Sequence, residues 1–281
     1  SKDRNFQARW LAYTKSRIDQ FDNSLLQLPL DQIFSSNNFN DSTGFTIDEG
    51  TNGTDRYTAS NELIATYIGT TWPVTDKLNV SGGVRFEYNR LILESADNNG
   101  KPLTVDNPIS SLLPSINISY NVTQKSLIRV AYAKTLNRPE FREIAPFAYY
   151  DFVFNNVLFG NTELETPTIH NFDLRWEKYP AAGEFIAGGV FYKHFINPIE
   201  QYFKPGAGSG GTRNFEFRNA PSAFSAGAEL EIRKSLEPIF KAGFLSRLAI
   251  GANASYIISE VDLGKEAVGQ DRKRMMMGQS P

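Results

Sequence analysis

Apolar and polar residues alternate along much of this chain with a period of two. The clearest stretch runs from Leu78 to Asn89, where even-numbered positions are apolar or glycine and odd-numbered positions are mostly polar or charged. Successive side chains of a β-strand point to opposite faces, so the stretch predicts a strand with one apolar and one polar face. The dominant period is not the 3.6 residues of a helix, and the pattern indicates an all-β protein.

Eight further segments carry the same signal, five clearly and three less cleanly. Together they predict nine strands, at 5–12, 57–72, 78–89, 115–122, 127–136, 171–177, 185–196, 226–233 and 248–256. We expect the following apolar side chains to point outward: Val80, Val84, Phe86, Ile116, Ile118, Phe172 and Leu174. We expect the following charged side chains to point inward: Arg85, Glu87, Asp173, Arg175, Glu229 and Glu231.

The connections between these strands alternate in length. Those at 13–57, 91–113, 137–166 and 197–222 are long, those at 73–77, 121–125 and 179–184 are short, and the one at 235–246 is intermediate. Antiparallel pairing places all long loops at one end and all short turns at the other. Outer-membrane barrels have this arrangement, with short turns in the periplasm and long loops outside.

Aromatic side chains fall near both ends of the predicted strands. Trp72, Tyr120 and Trp176 are close to short turns, while Tyr132 and Tyr192 are among those close to long connections. Aromatic girdles at both interfaces are typical of membrane-spanning barrels. The alternative is a soluble all-β protein with one packed face. It is less favoured, because a soluble sandwich has no reason to sort its loops by length.

Composition excludes several classes of function. The 281 residues hold 29 Lys and Arg against 31 Asp and Glu, so no basic surface for nucleic acid is expected. There is no cysteine and only two histidines, His170 and His194, so we expect no metal site and no cofactor. The sequence shows no pairing of a nucleophilic side chain with a general base, and we expect no enzymatic activity. No uncharged apolar run approaches about 18 residues, the length that predicts a membrane-spanning helix.

The stretch from Ser126 to Phe147 contains a motif that resembles one of a known protein family. It contains Tyr132, Lys134 and Thr135 and then reads RPEFRE from Arg138 to Glu143. Further matching elements are Gly160, Asn161 and Leu164, and then Asn171, Asp173, Leu174 and Glu177. These elements resemble the barrel of TonB-dependent outer-membrane receptors, especially those of Bacteroidetes. Ala133 departs from the family pattern, which has serine there.

The resemblance implies a transmembrane, antiparallel, up-and-down β-barrel, in which this chain supplies about nine strands of 22. Residues 1–281 would then be a partial outer-membrane barrel domain, and we expect a plug domain and C-terminal strands outside this chain. It also implies a Gram-negative outer membrane, surrounding lipid, TonB bound through a preceding region, and uptake of a scarce ligand: an iron chelate, haem, a glycan or a peptide. A passive porin and a non-transporting surface barrel, acting as an adhesin or secretion partner, stay open.

The long connection at 137–166 holds the candidate ligand-binding residues. They are Arg138, Arg142, Tyr149, Tyr150, Phe152 and Phe154. Exposed rings would offer stacking and apolar contact, and the two guanidinium groups could hold an anionic ligand. The alternative is that the rings pack the loop itself and that the arginines are architectural. The glycine-rich stretch at 206–211 has no phosphate-loop context, and we expect it to be the tip of another long loop.

Overall fold

The computed structural model describes residues 1–97, 99–206, 213–237 and 244–278 of the chain. Its strands are β1 (Lys2–Gln7), β2 (Leu11–Lys15), β3 (Phe45–Glu49), β4 (Arg56–Pro73), β5 (Leu78–Ala96), β6 (Pro102–Thr123), β7 (Ser126–Leu136), β8 (Ala148–Asp151), β9 (Asn156–Phe159), β10 (Thr168–Lys178), β11 (Phe185–Ile196), β12 (Ile199–Phe203), β13 (Arg213–Asn219), β14 (Ser222–Ser235), β15 (Ala249–Asp262) and β16 (Lys273–Arg274). Helix α1 (Leu30–Ile33) and helix α2 (Phe141–Ile144) are single turns. No helix in these ranges is long and apolar enough to cross a membrane.

Ten strands form the main sheet, which we call the wall. Their order is β1-β4-β5-β6-β7-β10-β11-β14-β15-β16. Every neighbouring pair is antiparallel. The alternating sequence pattern produces this order because each strand pairs with the next long strand along the chain. The all-β, antiparallel, up-and-down prediction is therefore confirmed, with the wall forming an open segment of a barrel.

The three short turns lie together at one rim of the wall, as predicted. The amide of Asn121 donates to the carbonyl of Lys77 at 2.8 Å, which joins the first turn to the second. The amide of Tyr179 donates to the carbonyl of Lys125 at 2.8 Å, which joins the second turn to the third. The long connections consequently lie at the opposite rim.

The predicted facing of the strands is also confirmed. Cross-strand register puts Phe86 opposite Leu112, Ile116 opposite Tyr132, and Phe172 opposite Tyr192, all on one face. Large apolar side chains on this outer face are exposed, whereas the carboxylates of Glu87 and Glu177 on the inner face are buried. The same register assigns the faces of β4, because Ile64 and Ile68 lie opposite the outer-face residues Tyr88 and Val84.

Strands β5 and β6 extend furthest beyond their predicted ends. The prediction of a long loop at 91–113 is wrong, because β5 and β6 continue through this region and pair up to Ala96 and Pro102. Prolines at 102, 108 and 114 interrupt the sequence signal there. They are tolerated because β6 pairs with β7 only from Ser115 onward, so this part of β6 is an edge of the ladder on that side.

The first predicted strand, 5–12, is broken in two. β1 ends at Gln7, and β2 leaves the wall to pair with β3 in a separate two-stranded sheet. The amide of Ala8 still bonds the carbonyl of Asp55 at 2.8 Å, and the carbonyl of Trp10 accepts from Gly50 at 2.9 Å. These two bonds hold the bend where the chain changes sheet.

A third sheet stands at the rim of the long connections. Its order is β12-β13-β9-β8, and the pairing of β13 with β9 is parallel. It is fixed to the wall through Tyr202, whose hydroxyl donates to the carbonyl of Leu263 at 2.9 Å, and through Arg274, which bonds buried Glu200 at 2.8 Å. Burial raises the pKa of Tyr202 to about 12. Of the glycine-rich stretch predicted at 206–211, residues 207–211 lie outside the described residues.

Candidate ligand-binding cap on the inner wall

The connection between β7 and β10 folds back over the inner face of the wall, and we call residues 137–167 the cap. Near the outer rim the inner face turns apolar, with buried Tyr57, Ala59, Leu91 and Leu93. Side chains of the cap fill the space above them and form one cluster with them; these are Phe141, Ile144, Ala145, Phe147, Leu158 and Leu164. The cap is therefore a packed part of the structure.

Arg138 anchors the start of the cap to the wall. Its guanidinium bonds one carboxylate oxygen of Glu87, while Arg85 bonds the other oxygen at 2.6 Å. Glu87 is buried, so its charge depends on these two partners. This predicted ligand contact is thus occupied by an internal ion pair, as the architectural alternative requires.

The rest of the RPEFRE motif forms helix α2 and the residue that caps the N-terminus of this helix. Glu140 and Glu143 make a reciprocal capping box, with each side chain accepting a hydrogen bond from the other's backbone amide. Phe141 and Ile144 point into the buried cluster. Burial raises the pKa of the Glu143 carboxyl, against the opposing effect of the hydrogen bond from the Glu140 amide.

Gly160 and Asn161 fix the return of the cap past α2. A Cβ atom at position 160 would lie 1.9 Å from the carbonyl oxygen of Ala145, so only glycine fits this approach. The amide of Asn161 donates to the carbonyl of Glu143 at 2.7 Å, and its side chain donates to the carbonyl of Phe217 at 3.0 Å. The second family element is therefore structural in this chain.

The predicted aromatic and arginine residues divide into packed and exposed groups. The guanidinium of Arg142 stands 5.3 Å from the ring centre of Tyr149, and that ring packs against the buried cluster. Tyr150 is also engaged, since its hydroxyl donates to Asn155 at 2.5 Å. Phe152 and Phe154, in contrast, are 84% and 71% exposed.

Phe152, Val153 and Phe154 form the tip of the hairpin between β8 and β9, which we call the apolar tip. The Asp151 carboxylate accepts from the amides of Val153 at 2.9 Å and Phe154 at 3.3 Å. The rings of Tyr150 and Phe152 meet edge to face at 4.8 Å. Three large apolar side chains are thus held in a defined conformation and presented to the outside.

A recess of about 600 Å3 opens beside the cap, and sequence reasoning missed it. Its lining includes Trp10, Asp97, Phe159, Thr162, Lys204 and Glu216. The Lys204 ammonium stands 4.5 Å from the ring centre of Phe159 and 3.7 Å from the Glu216 carboxylate. These residues come from separate segments and carry no shared motif, so no sequence signal could have found them. Across the described residues, no group of three or more possible ligand side chains could hold a metal ion.

A one-sided polar wall, an exposed apolar outer face and a cap folded over the inner face define a segment of a membrane-spanning β-barrel. The sequence matches the family model for the TonB dependent receptor-like beta-barrel over residues 2–275. The chain therefore belongs to the TonB-dependent receptor family, a family of outer-membrane transport receptors. No curated protein matches the sequence.

Solved structures with a similar fold are receptors of this kind. The ferric yersiniabactin uptake receptor FyuA from Yersinia pestis is 19% identical with a TM-score of 0.50, over 77% of this chain and 30% of that one. The ferric-catecholate import receptor Fiu from K12 E. coli is 13% identical with a TM-score of 0.51, over 80% and 31%. The siderophore receptor PirA from Pseudomonas aeruginosa is 15% identical with a TM-score of 0.49, over 77% and 46%. The chain thus spans less than half of each receptor.

Proposed function

We propose that this chain is part of a TonB-dependent importer that captures a scarce ligand at the surface of a Gram-negative cell. The observation that carries the proposal is the cap, a packed unit on the inner wall that presents the apolar tip outward. A receptor needs a fixed surface for capture above the lumen. In this proposal a plug domain and the remaining strands belong to the longer protein, and TonB acts through the region before the barrel.

We place ligand capture at the apolar tip. Arg138 is bonded to Glu87, and Tyr149 packs inside the cap, so both serve the architecture of the surface. Phe152 and Phe154 keep their rings available, and an apolar ring pair favours a ligand with a flat apolar or aromatic face. Ferric catecholates and haem have such faces. Two receptors of similar fold carry names for the import of ferric chelates, which supports this choice over a glycan or peptide.

The test is direct binding to the full-length receptor, with a ferric catecholate complex and haemin as probes. The double variant Phe152→Ala, Phe154→Ala removes the tip rings, and Phe244→Ala removes another exposed ring near the rim of the short turns. Burying a phenyl ring contributes about 1.5–3 kcal/mol, so the double variant should bind at least about tenfold more weakly. The Phe244→Ala control should bind as the parent does. Equal affinity of the double variant and parent would contradict capture at the tip.

Uptake in cells separates the importer from its alternatives. An importer takes up the bound probe only in cells with intact TonB, whereas a passive porin admits small solutes in cells that lack it. A surface adhesin or secretion partner takes up neither the probe nor small solutes. Saturable probe uptake that disappears with TonB is the expected result, and uptake unchanged by loss of TonB would favour the porin.

A further inference from the structure

Three basic side chains lie side by side on the outer face of the wall. Lys134 of β7 is directly opposite His170 of β10, and His170 is directly opposite His194 of β11. Each stands two residues beyond an outer-face aromatic residue, namely Tyr132, Phe172 and Tyr192, and therefore shares its face. We call Lys134, His170 and His194 the basic row.

The basic row lies near the outer edge of the apolar band. Lys134 is eight residues above the start of β7 at Ser126, and His170 is eight residues from the end of β10 at Lys178. A rise of about 3.3 Å per residue and a tilt of about 40° put these groups roughly 20 Å above the rim of the short turns. The apolar band of such barrels is about 25 Å tall, so the row meets the outer leaflet close to its headgroups.

The protein itself does not balance these groups. Within the described residues, neither Lys134 nor His194 has a salt-bridge or side-chain hydrogen-bond partner, and His170 bonds only the Tyr132 hydroxyl, through Nδ1 at 3.0 Å. The next residue in the row after His194 is Phe224, and Glu260 beyond it is paired with Lys273 at 2.7 Å. A lipid-facing cation costs less near the interface than at the midplane, and anionic headgroups there can balance its charge.

Three aromatic rings form a shelf directly below the row. Tyr132 and Phe172 stand 5.0 Å apart and Phe172 and Tyr192 6.5 Å apart between ring centres. Phe224, level with the row beside His194, stands 6.2 Å from Tyr192. Three donor groups in a line above an apolar shelf match a molecule with an anionic head and hydrocarbon chains. An ammonium and imidazole N–H groups are suitable donors for phosphate oxygens.

We propose that the basic row binds the phosphate of a phosphorylated glycolipid of the outer leaflet, whose acyl chains lie along the aromatic shelf. The proposal rests on the outer face meeting lipid, as the proposed function requires. It names a lipid site on the outside of the wall, and this site is separate from the cap and its ligand. The phosphate is expected to lie above Tyr132, within reach of Lys134 and the His170 Nε2 atom.

The experiment compares lipid retained by the full-length receptor after purification from outer membranes. The variant Lys134→Gln, His170→Gln, His194→Gln removes the row, and Lys193→Gln removes a neighbouring inner-face cation as the control. Mass spectrometry counts bound lipid A, and vesicle binding compares lipid A with its dephosphorylated form. Correct assembly of each variant is checked by gel migration with and without heating.

The row variant should retain at least about fivefold less lipid A, because one basic charge near an anionic membrane surface contributes about that factor. The Lys193→Gln control should retain as much as the parent. Equal retention by the row variant, or equal binding of dephosphorylated lipid A by the parent, would overturn the proposal. A protein that copurifies through the row in place of lipid would also overturn it. Ligand uptake by the parent, measured separately, reports on the proposed importer function whatever the lipid result.

Discussion

At the scale of single residues, the inner wall keeps a buried carboxylate charged by giving it two arginines. Glu87 holds Arg85 from its own strand and Arg138 from the cap. A buried charge left without a partner is strongly destabilising. If Arg138 were removed, Glu87 would still have Arg85. Besides the buried cluster, the cap is thus joined to the wall by an ion pair between residues 51 positions apart in sequence.

Arg138→Gln should lower the free energy of unfolding by about 1–3 kcal/mol, because it leaves Glu87 with Arg85 alone. Arg142→Gln is the matched control within the same motif. It loses a cation–π contact at an exposed position and should cost about 0.5–1 kcal/mol. Thermal unfolding of the purified receptor in detergent measures both. Equal losses would mean that the Glu87 pair does not hold the cap.

A second prediction at this scale concerns Glu143, whose pKa burial raises in the folded protein. The folded state then binds the proton more tightly than the unfolded chain does. The contribution of Glu143 to stability is therefore fully present below the unfolded pKa and is lost as pH rises through the folded pKa.

Glu143→Gln keeps an acceptor for the Glu140 amide and removes the charge. We expect this variant to equal or exceed the parent in stability at pH 7, with the advantage shrinking as pH falls toward 4. Glu143→Ala loses the acceptor and should cost about 0.5–2 kcal/mol at either pH. The free energy of unfolding of the parent and both variants, measured at several pH values, tests this prediction. A Gln variant whose stability relative to the parent is lower at pH 7 than at pH 4 would contradict it.

At the scale of elements, alternation in sequence was sufficient for the facing of the wall strands, because facing depends only on the parity of neighbouring residues. It did not find the extension of β5 and β6 or the bend after β1. The cap could not be predicted in this way. Its shape depends on the parallel pairing of β13 with β9, on Arg138 meeting Glu87, and on the approach of Gly160 to Ala145. Each of these joins parts of the chain that no local pattern connects. The division between packed Tyr149 and exposed Phe152 follows from those contacts.

The facing of β7 is tested by two adjacent substitutions. Val130 is on the outer face about 10 Å above the rim of the short turns, by the rise and tilt of such strands, and is therefore near the midplane. Val130→Arg should cost about 2–4 kcal/mol and impair assembly. Ala131→Arg enters the inner face opposite Asp173 and should assemble normally. Heat-modifiable gel migration of membrane fractions compares them, and similar assembly would refute the facing.

At the scale of the whole molecule, strand order and loop length together set which rim faces the outside. The three short turns are joined by backbone hydrogen bonds at one rim, and the cap, the third sheet and the β2–β3 sheet stand at the other. Family membership indicates that the rim with the long connections faces the cell exterior. This orientation places the apolar tip where a ligand arrives from solution, and it can be tested independently of any ligand.

Residues 1–281 contain no cysteine, so within this chain a single introduced thiol reports one position, and the parent receptor serves as the background for labelling. Val153→Cys at the apolar tip replaces a side chain that is 84% exposed, and Asp76→Cys lies in an exposed turn at the opposite rim. In intact cells a membrane-impermeant maleimide should label Val153→Cys and leave Asp76→Cys unlabelled, because the outer membrane separates the two rims. After the membrane is permeabilised, both should react at similar rates. Labelling of Asp76→Cys in intact cells, with Val153→Cys protected, would invert the orientation and remove the apolar tip from the path of an external ligand.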